Sequence, residues 1–175
     1  SFSALFAFIT DSAFVYLRFY AVGETAFPLL FGANVATMIL FNRVNLLLLR
    51  RIPAIRLMTA ALIIQVSAAW LLLLAILILG KPPLSLLVPL IMLAGGAVAM
   101  VIPNAIACFT HYFPHDSGAA TGINGSLQFF LAGITGILMT SLHNHSLLPL
   151  GLAMMLAATL ALTLLRAGQD RVGQP

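Results

Sequence analysis

The sequence predicts an all-α integral membrane protein of six transmembrane helices, and three observations lead there. The composition is 62% hydrophobic and only 7% charged, whereas a soluble domain averages about 45–50% apolar and about 25% charged. Too little polar surface is present to cover a water-soluble globule. The apolar residues fall into stretches of the length a bilayer demands, about 20 residues each. The breaks between them carry turn chemistry and charge.

Six spans follow, at about 2–21, 27–49, 54–79, 83–111, 116–142 and 147–166. The first contains Asp11, the one acid well inside a span, and ends before Gly23-Glu24. A charge in hydrocarbon is costly, so such a residue is a functional candidate. Desolvation would raise its pKa and let it carry a proton. Arg18, seven residues on, falls on nearly the same face of a regular helix and would oppose that shift. An Asp near the outer mouth, paired with Arg18 or solvated, is the alternative.

The second span carries Asn34, Asn42 and Asn45 and stops at Arg50-Arg51-Ile52-Pro53. The third has only Thr59, Gln65 and Ser67 in its interior and stops at Gly80-Lys81-Pro82-Pro83. The fourth contains Gly95-Gly96 and then Pro103-Asn104. Pro103 has no N–H, so the carbonyl of Ala99 loses its helical partner and the helix is expected to bend. A polar residue at a bend suits a gate, although prolines are also tolerated in membrane helices for structural reasons.

The fifth span begins after Phe113-Pro114-His115-Asp116 and is the most informative. Thr121, Asn124, Gln128 and Thr135 cluster within about 60° of helical arc. Gly118, Gly122, Gly125, Gly133 and Gly136 form a second stripe beside them. The smooth stripe lets another helix approach closely. The polar stripe borders a cavity, or else bonds neighbouring helices. The sixth span follows His143-Asn144-His145, and only Thr159 and Thr163 interrupt its apolar run. The third and sixth spans can therefore face lipid over much of their circumference.

Orientation follows from the Lys and Arg residues near span ends. One side holds Arg43, Arg50, Arg51, Arg56, Arg166 and Arg171, and the other holds Arg18 and Lys81. This bias puts the Arg-rich junction and both termini in the cytoplasm. The formal net charge of +4 forms no basic stripe with interleaved aromatics, so nucleic acid is not an expected partner. Cys108 is the only cysteine, which excludes an internal disulfide. No cleavable signal peptide is visible, and the first residue is Ser rather than Met, which points to a fragment or a processed form.

Specific residues then bring a family into view. Ile102-Pro103-Asn104-Ala105-Ile106-Ala107, Asp116-Ser117-Gly118-Ala119-Ala120-Thr121-Gly122 and Gly125-Ser126-Leu127-Gln128 keep the order and approximate spacing of a "PNA…AG.AS…G..Q" run. This resembles the Bcr/CflA branch of the major facilitator superfamily, the drug:proton antiporters linked to bicyclomycin and chloramphenicol resistance. Leu29-Leu30-Phe31-Gly32-Ala33-Asn34 looks like the start of the family's eighth helix, and Asn45, Arg50, Arg51 and Arg56 resemble its basic junction between helices eight and nine. The resemblance covers nearly the whole chain. It implies that the six spans are helices seven to twelve, built as a 3+3 inverted repeat.

The same resemblance implies that helices seven and ten line a central cavity, eight and eleven lie at the seam with the other half, and nine and twelve sit outside. It implies alternating access, with proton influx driving export of an amphipathic compound. Asp11, Tyr16, Asn104, Asn124 and Gln128 are then the expected cavity wall, with Asp11 the candidate proton carrier. Pro103, Gly118, Gly122 and Gly125 are the expected packing and gating positions. Arg50, Arg51 and Arg56 either brace the cytoplasmic side or only set topology. The expected partners are the lipid bilayer, an N-terminal six-helix half, a small-molecule substrate and protons, in a bacterial inner membrane. No cofactor is implied.

Two departures stand out: Ala13 occupies a position where the family usually has proline, and Arg18 stands where members often have an acid or an amide. Other readings are a six-helix transporter working as a dimer, and an intramembrane hydrolase using Ser126 with one of His111, His115, His143 and His145. A dyad is recognised by geometry that spacing alone does not supply. Two histidines at either His111/His115 or His143/His145 are too few for a closed zinc site, so no metal is expected.

Overall fold

The computed structural model describes residues 1–111, 116–142 and 146–172. Among these the chain forms α1 (Phe2–Ala13, continued by a π-helical turn Phe14–Phe19), α2 (Phe27–Leu48), α3 (Ala54–Leu79), α4 (Leu84–His111), α5 (Ser117–Ser141) and α6 (Leu148–Val172). Six helical segments are long and apolar enough to cross a bilayer. The chain is an all-helical membrane protein.

Local chemistry sets the ends. Pro28 sits in the first turn of α2, where its missing N–H costs nothing and its fixed φ suits a helix. Pro53 stands before α3 with extended backbone (ψ 143°), so the chain must turn there before the helix starts. Gly80 ends α3 at φ +64°, the left-handed conformation that a residue without Cβ adopts readily. Ala21, in the first loop, takes φ +52° and has no such freedom. α4 runs through Pro89 and Pro103 as one helix.

α1 and α4 hold the centre. α3 packs along α4, α2 packs on the other flank of α4, and α5 and α6 pack on α1. Exchanging α1 with α4, α2 with α5 and α3 with α6 maps these larger interfaces onto one another. The main core joins Phe8, Val15, Leu72, Ile91, Leu150 and Met154 from the two central helices and the α3–α6 pair. A second cluster, around Leu57, Leu62, Met100 and Val101, closes the end where α3 begins.

Two close approaches let helices meet along their backbones. A Cβ built on Gly96 would fall 2.8 Å from the ring of Phe41, so glycine there allows α2 to lie against α4. A Cβ on Gly151 would meet Ile76 at 3.0 Å and Leu73 at 3.2 Å, on the α3–α6 contact.

The third span carries more buried surface than its sparse polar content suggests. Leu57, Ala61, Ala68, Leu72 and Ile76 face inward, while Ile63, Trp70, Leu74 and Ile78 are exposed on the other side. Gln65, on the inward face, accepts a hydrogen bond from the Ser1 hydroxyl at 2.7 Å and is fully buried. The helices least covered by their own chain are α2 and α5: 6% of the α2 window is buried, against 50% for α4. Leu29, Leu40 and Leu47 on α2, and Ile123, Phe130 and Ile137 on α5, are all more than half exposed.

Candidate functional site: an amide-lined cleft beside a sealed amide pair

α5 turns Asn124 and Gln128 of its polar stripe toward α4 and the start of α1. There Asn124 and Gln128 line a cleft of about 220 Å³ together with Phe2, Val101, Ile102 and Ala105. Both amides are partly exposed. The other two members of the stripe satisfy themselves: Thr121 donates to the Ser117 carbonyl at 2.7 Å, and Thr135 donates to the Leu131 carbonyl at 2.8 Å. Asn124 and Gln128 therefore supply the side-chain amides of this wall. Each offers two donors and an acceptor above an apolar surface, the lining that suits an amphipathic ligand.

Asn104 lies at the level of that cleft on α4, between Ile102 and Ala105, and does not line it. It is 1% exposed. Its Nδ2 donates to Oδ1 of Asn45 at 2.7 Å and to the Met100 carbonyl at 2.9 Å. Asn45 is fully buried. The pair ties α2 to α4, and it leaves Oδ1 of Asn104 and Nδ2 of Asn45 without a protein partner. Further along the same seam Asn34 is buried with both amide atoms unpaired. A Cβ on Gly95 would come within 2.8 Å of its Oδ1. The seam is thus a polar ladder enclosed by glycines and apolar side chains.

The remaining expected site residues are scattered. Tyr16 is 1% exposed and sits in an aromatic core, edge-on to Phe8 at 6.1 Å and tilted against Phe27 at 6.0 Å. Asp11 is buried at 3% exposure, while Arg18 is exposed. A π turn starts between them, at Phe14. A wider turn re-phases every residue after it, so a spacing of seven no longer returns to the same face. The irregularity begins immediately after Ala13, where the sequence lacks the family's proline.

A Cβ built on Gly118, Gly122, Gly125 or Gly133 would meet nothing within 4 Å. Only Gly136 of that stripe touches another helix of the chain, with Phe6 at 3.2 Å. Ser126 donates to the carbonyl of Gly122 on the exposed face of α5. Arg50, Arg51 and Arg56 are exposed at the α2–α3 junction. Among the described residues no three His, Cys, Asp or Glu side chains gather as a metal site. His115, His143 and His145 lie outside the described residues.

At the opposite end of the bundle the first loop is clamped to the third. The Tyr20 hydroxyl donates to the Pro82 carbonyl. The Lys81 ammonium lies 5.3 Å from the centroids of both Phe19 and Tyr20, within cation–π range.

The chain is 32% identical over 151 residues, 86% of its length, to a bicyclomycin resistance protein homolog from Haemophilus influenzae. The chain is a homologue of the Bcr/CflA transporters of the major facilitator superfamily. It spans 37% of that relative's length. No family model and no solved structure matches it.

Sequence reasoning placed Asn104 and Gln128 in one cavity wall. The contact it missed is Asn45 with Asn104, two residues 59 apart. Both were visible as isolated amides in apolar spans. Which amide meets which depends on the rotation of α2 against α4, and that is set by Gly95 and Gly96.

Proposed function

We propose that this chain forms the C-terminal six-helix half of a proton-coupled drug exporter, with helices seven to twelve of twelve. The observation that carries the reading is the cleft lined by Asn124 and Gln128, in a chain homologous to bicyclomycin-resistance proteins. At about 220 Å³ it is smaller than a drug-sized site, which runs about 300–1,000 Å³. One half would therefore provide one wall, and the N-terminal half would provide the facing one.

The uncovered faces of α2 and α5 support the same assembly. They carry large apolar side chains and the free glycine stripe Gly118, Gly122 and Gly125. Small residues favour close helix approach in a membrane, so this stripe is where a helix of the other half would dock. Alternating access then moves the halves against each other about the cleft. Asp11, the buried acid of α1, is our candidate proton carrier. The Lys/Arg distribution supports cytoplasmic termini in a bacterial inner membrane.

The test uses the full-length transporter. An Asn124→Ala, Gln128→Ala double variant should lose about tenfold in efflux rate at unchanged membrane abundance. Each lost hydrogen bond is worth about 0.5–1.5 kcal/mol, and about 1.4 kcal/mol is tenfold. Efflux equal to the parent's would remove the cleft from the transport path. An Asp11→Asn variant that still exports against a pH gradient would remove Asp11 from coupling.

A further inference from the structure

A second concavity lies on the other side of the bundle, where α3 begins and α6 ends. It encloses about 400 Å³ and is lined by Ile55, Arg56, Thr59, Ala60, Ile63 and Gln169. We propose that this groove holds the headgroup phosphate and upper acyl chain of an anionic phospholipid. The inference rests on the six helices lying in a bilayer, not on what the protein transports.

The groove is polar at one end and apolar at the other. The exposed Arg56 side chain stands at the polar end. Thr59 is beside it, with the Gln169 amide 3.5 Å from the Thr59 hydroxyl oxygen. Ala60 and Ile63 form the apolar part toward the helix middle, Ile55 flanks Arg56 at the helix start, and Ile63 is 43% exposed. Arg56, Thr59, Ala60 and Ile63 follow one another along α3 from its start toward its middle, so the polar part meets the bilayer surface and the apolar part meets hydrocarbon. A free phosphate would pair with Arg56 and leave the apolar part uncovered. A phospholipid covers both.

Charge argues for an anionic headgroup. Six arginines stand at this end of the spans in the sequence, Arg43, Arg50, Arg51, Arg56, Arg166 and Arg171, against two acids, Asp116 and Asp170. Of these acids Asp116 begins α5, whose main neighbour is α1 and not α3. α3 also starts without a side-chain cap and without an acid in its first turn, so its positive end adds to the field of Arg56. Basic pockets between membrane helices are a recognised form of anionic-lipid site.

The test is native mass spectrometry of the purified full-length transporter, titrated with phosphatidylglycerol and with phosphatidylcholine of matched acyl chains. The parent should retain phosphatidylglycerol about fivefold more than phosphatidylcholine. Arg56→Gln should remove that preference, since one basic residue near a membrane surface is worth about 1 kcal/mol, about fivefold. Arg56→Lys, which keeps the charge, should keep most of it and shows that the site survives substitution. Arg43→Gln removes an equal charge from α2 outside the groove and should leave retention unchanged. Inorganic phosphate should not displace the lipid. Equal retention of the two lipids by the parent would overturn the proposal, as would full retention by Arg56→Gln or an equal loss in Arg43→Gln. Displacement by inorganic phosphate would reassign the groove to a soluble anion and overturn the lipid.

Discussion

Asn104 and Gln128 are the same chemistry in the same setting, a side-chain amide inside an apolar helix, yet the fold uses them in opposite ways. Asn104 is closed into the α2–α4 seam and spent on Asn45. Gln128 stands on an open cleft with Asn124. The difference is the neighbour's shape. Gly95 and Gly96 let α2 come against α4 closely enough to cover Asn34 and Asn45. α5 instead meets α1 through Gly136 and Phe6 and leaves its other glycines uncovered. A polar residue in a membrane helix must be paired or wet, and backbone approach decides which.

The seam should be the most sensitive place to perturb. Gly96→Ala pushes a methyl group into the Phe41 ring, and overpacking of this kind costs about 1–3 kcal/mol. The thermal unfolding temperature of the purified full-length protein should fall by several degrees, and the same substitution at Gly122 should leave the chain's own packing unchanged. Equal losses at both glycines would break the contrast between a closed and an open helix face.

A smaller loss is expected from the amide pair itself. Asn45→Leu leaves the Asn104 side chain without its partner, and interhelical bonds of this type are worth about 1–2 kcal/mol or less in membranes. Replacing both residues by leucine removes the stranded amide as well, so the double variant should be more stable than the two single losses predict. Strict additivity in that cycle would mean that the two amides do not cooperate.

The smallest effect on stability belongs to the open cleft. Gln128→Ala deletes an amide that has no hydrogen-bond partner among the described residues and should shift stability by less than about 0.5 kcal/mol, while the efflux we propose falls. A loss of stability as large as that of Asn45→Leu would mean that Gln128 is structural after all. Ala21→Gly should work in the other direction. It relieves a left-handed alanine at φ +52°, whose strain is about 1–2 kcal/mol, partly offset by the greater freedom of glycine in the unfolded chain.

The six-helix architecture was legible because it depends on composition and on the spacing of breaks, both of which a sequence displays directly. The polar stripe of α5 was legible because helical periodicity puts Asn124 and Gln128 on one face regardless of what they meet. The partner of Asn104 was not, since Asn34, Asn42, Asn45, Asn124 and Gln128 were equally available by residue type. Nor was the π turn at Phe14–Phe19, which no proline or glycine announces. With it went the expected alignment of Asp11 and Arg18. Gln65 read as an isolated polar residue on an outer helix and is instead buried against the start of α1. In each case the missing information was the rotation of one helix about its axis relative to another.

The most direct test of this account is water accessibility, residue by residue, in the full-length protein. With Cys108 replaced by serine, single cysteines at Asn104, Asn124 and Gln128 would be exposed to a membrane-impermeant thiol reagent. The account predicts rapid labelling at 124 and 128, slowed by a transported drug, and little labelling at 104 under the same conditions. Labelling at 104 as fast as at 128, or no labelling at 124 and 128, would contradict the division between a sealed amide pair and an open cleft.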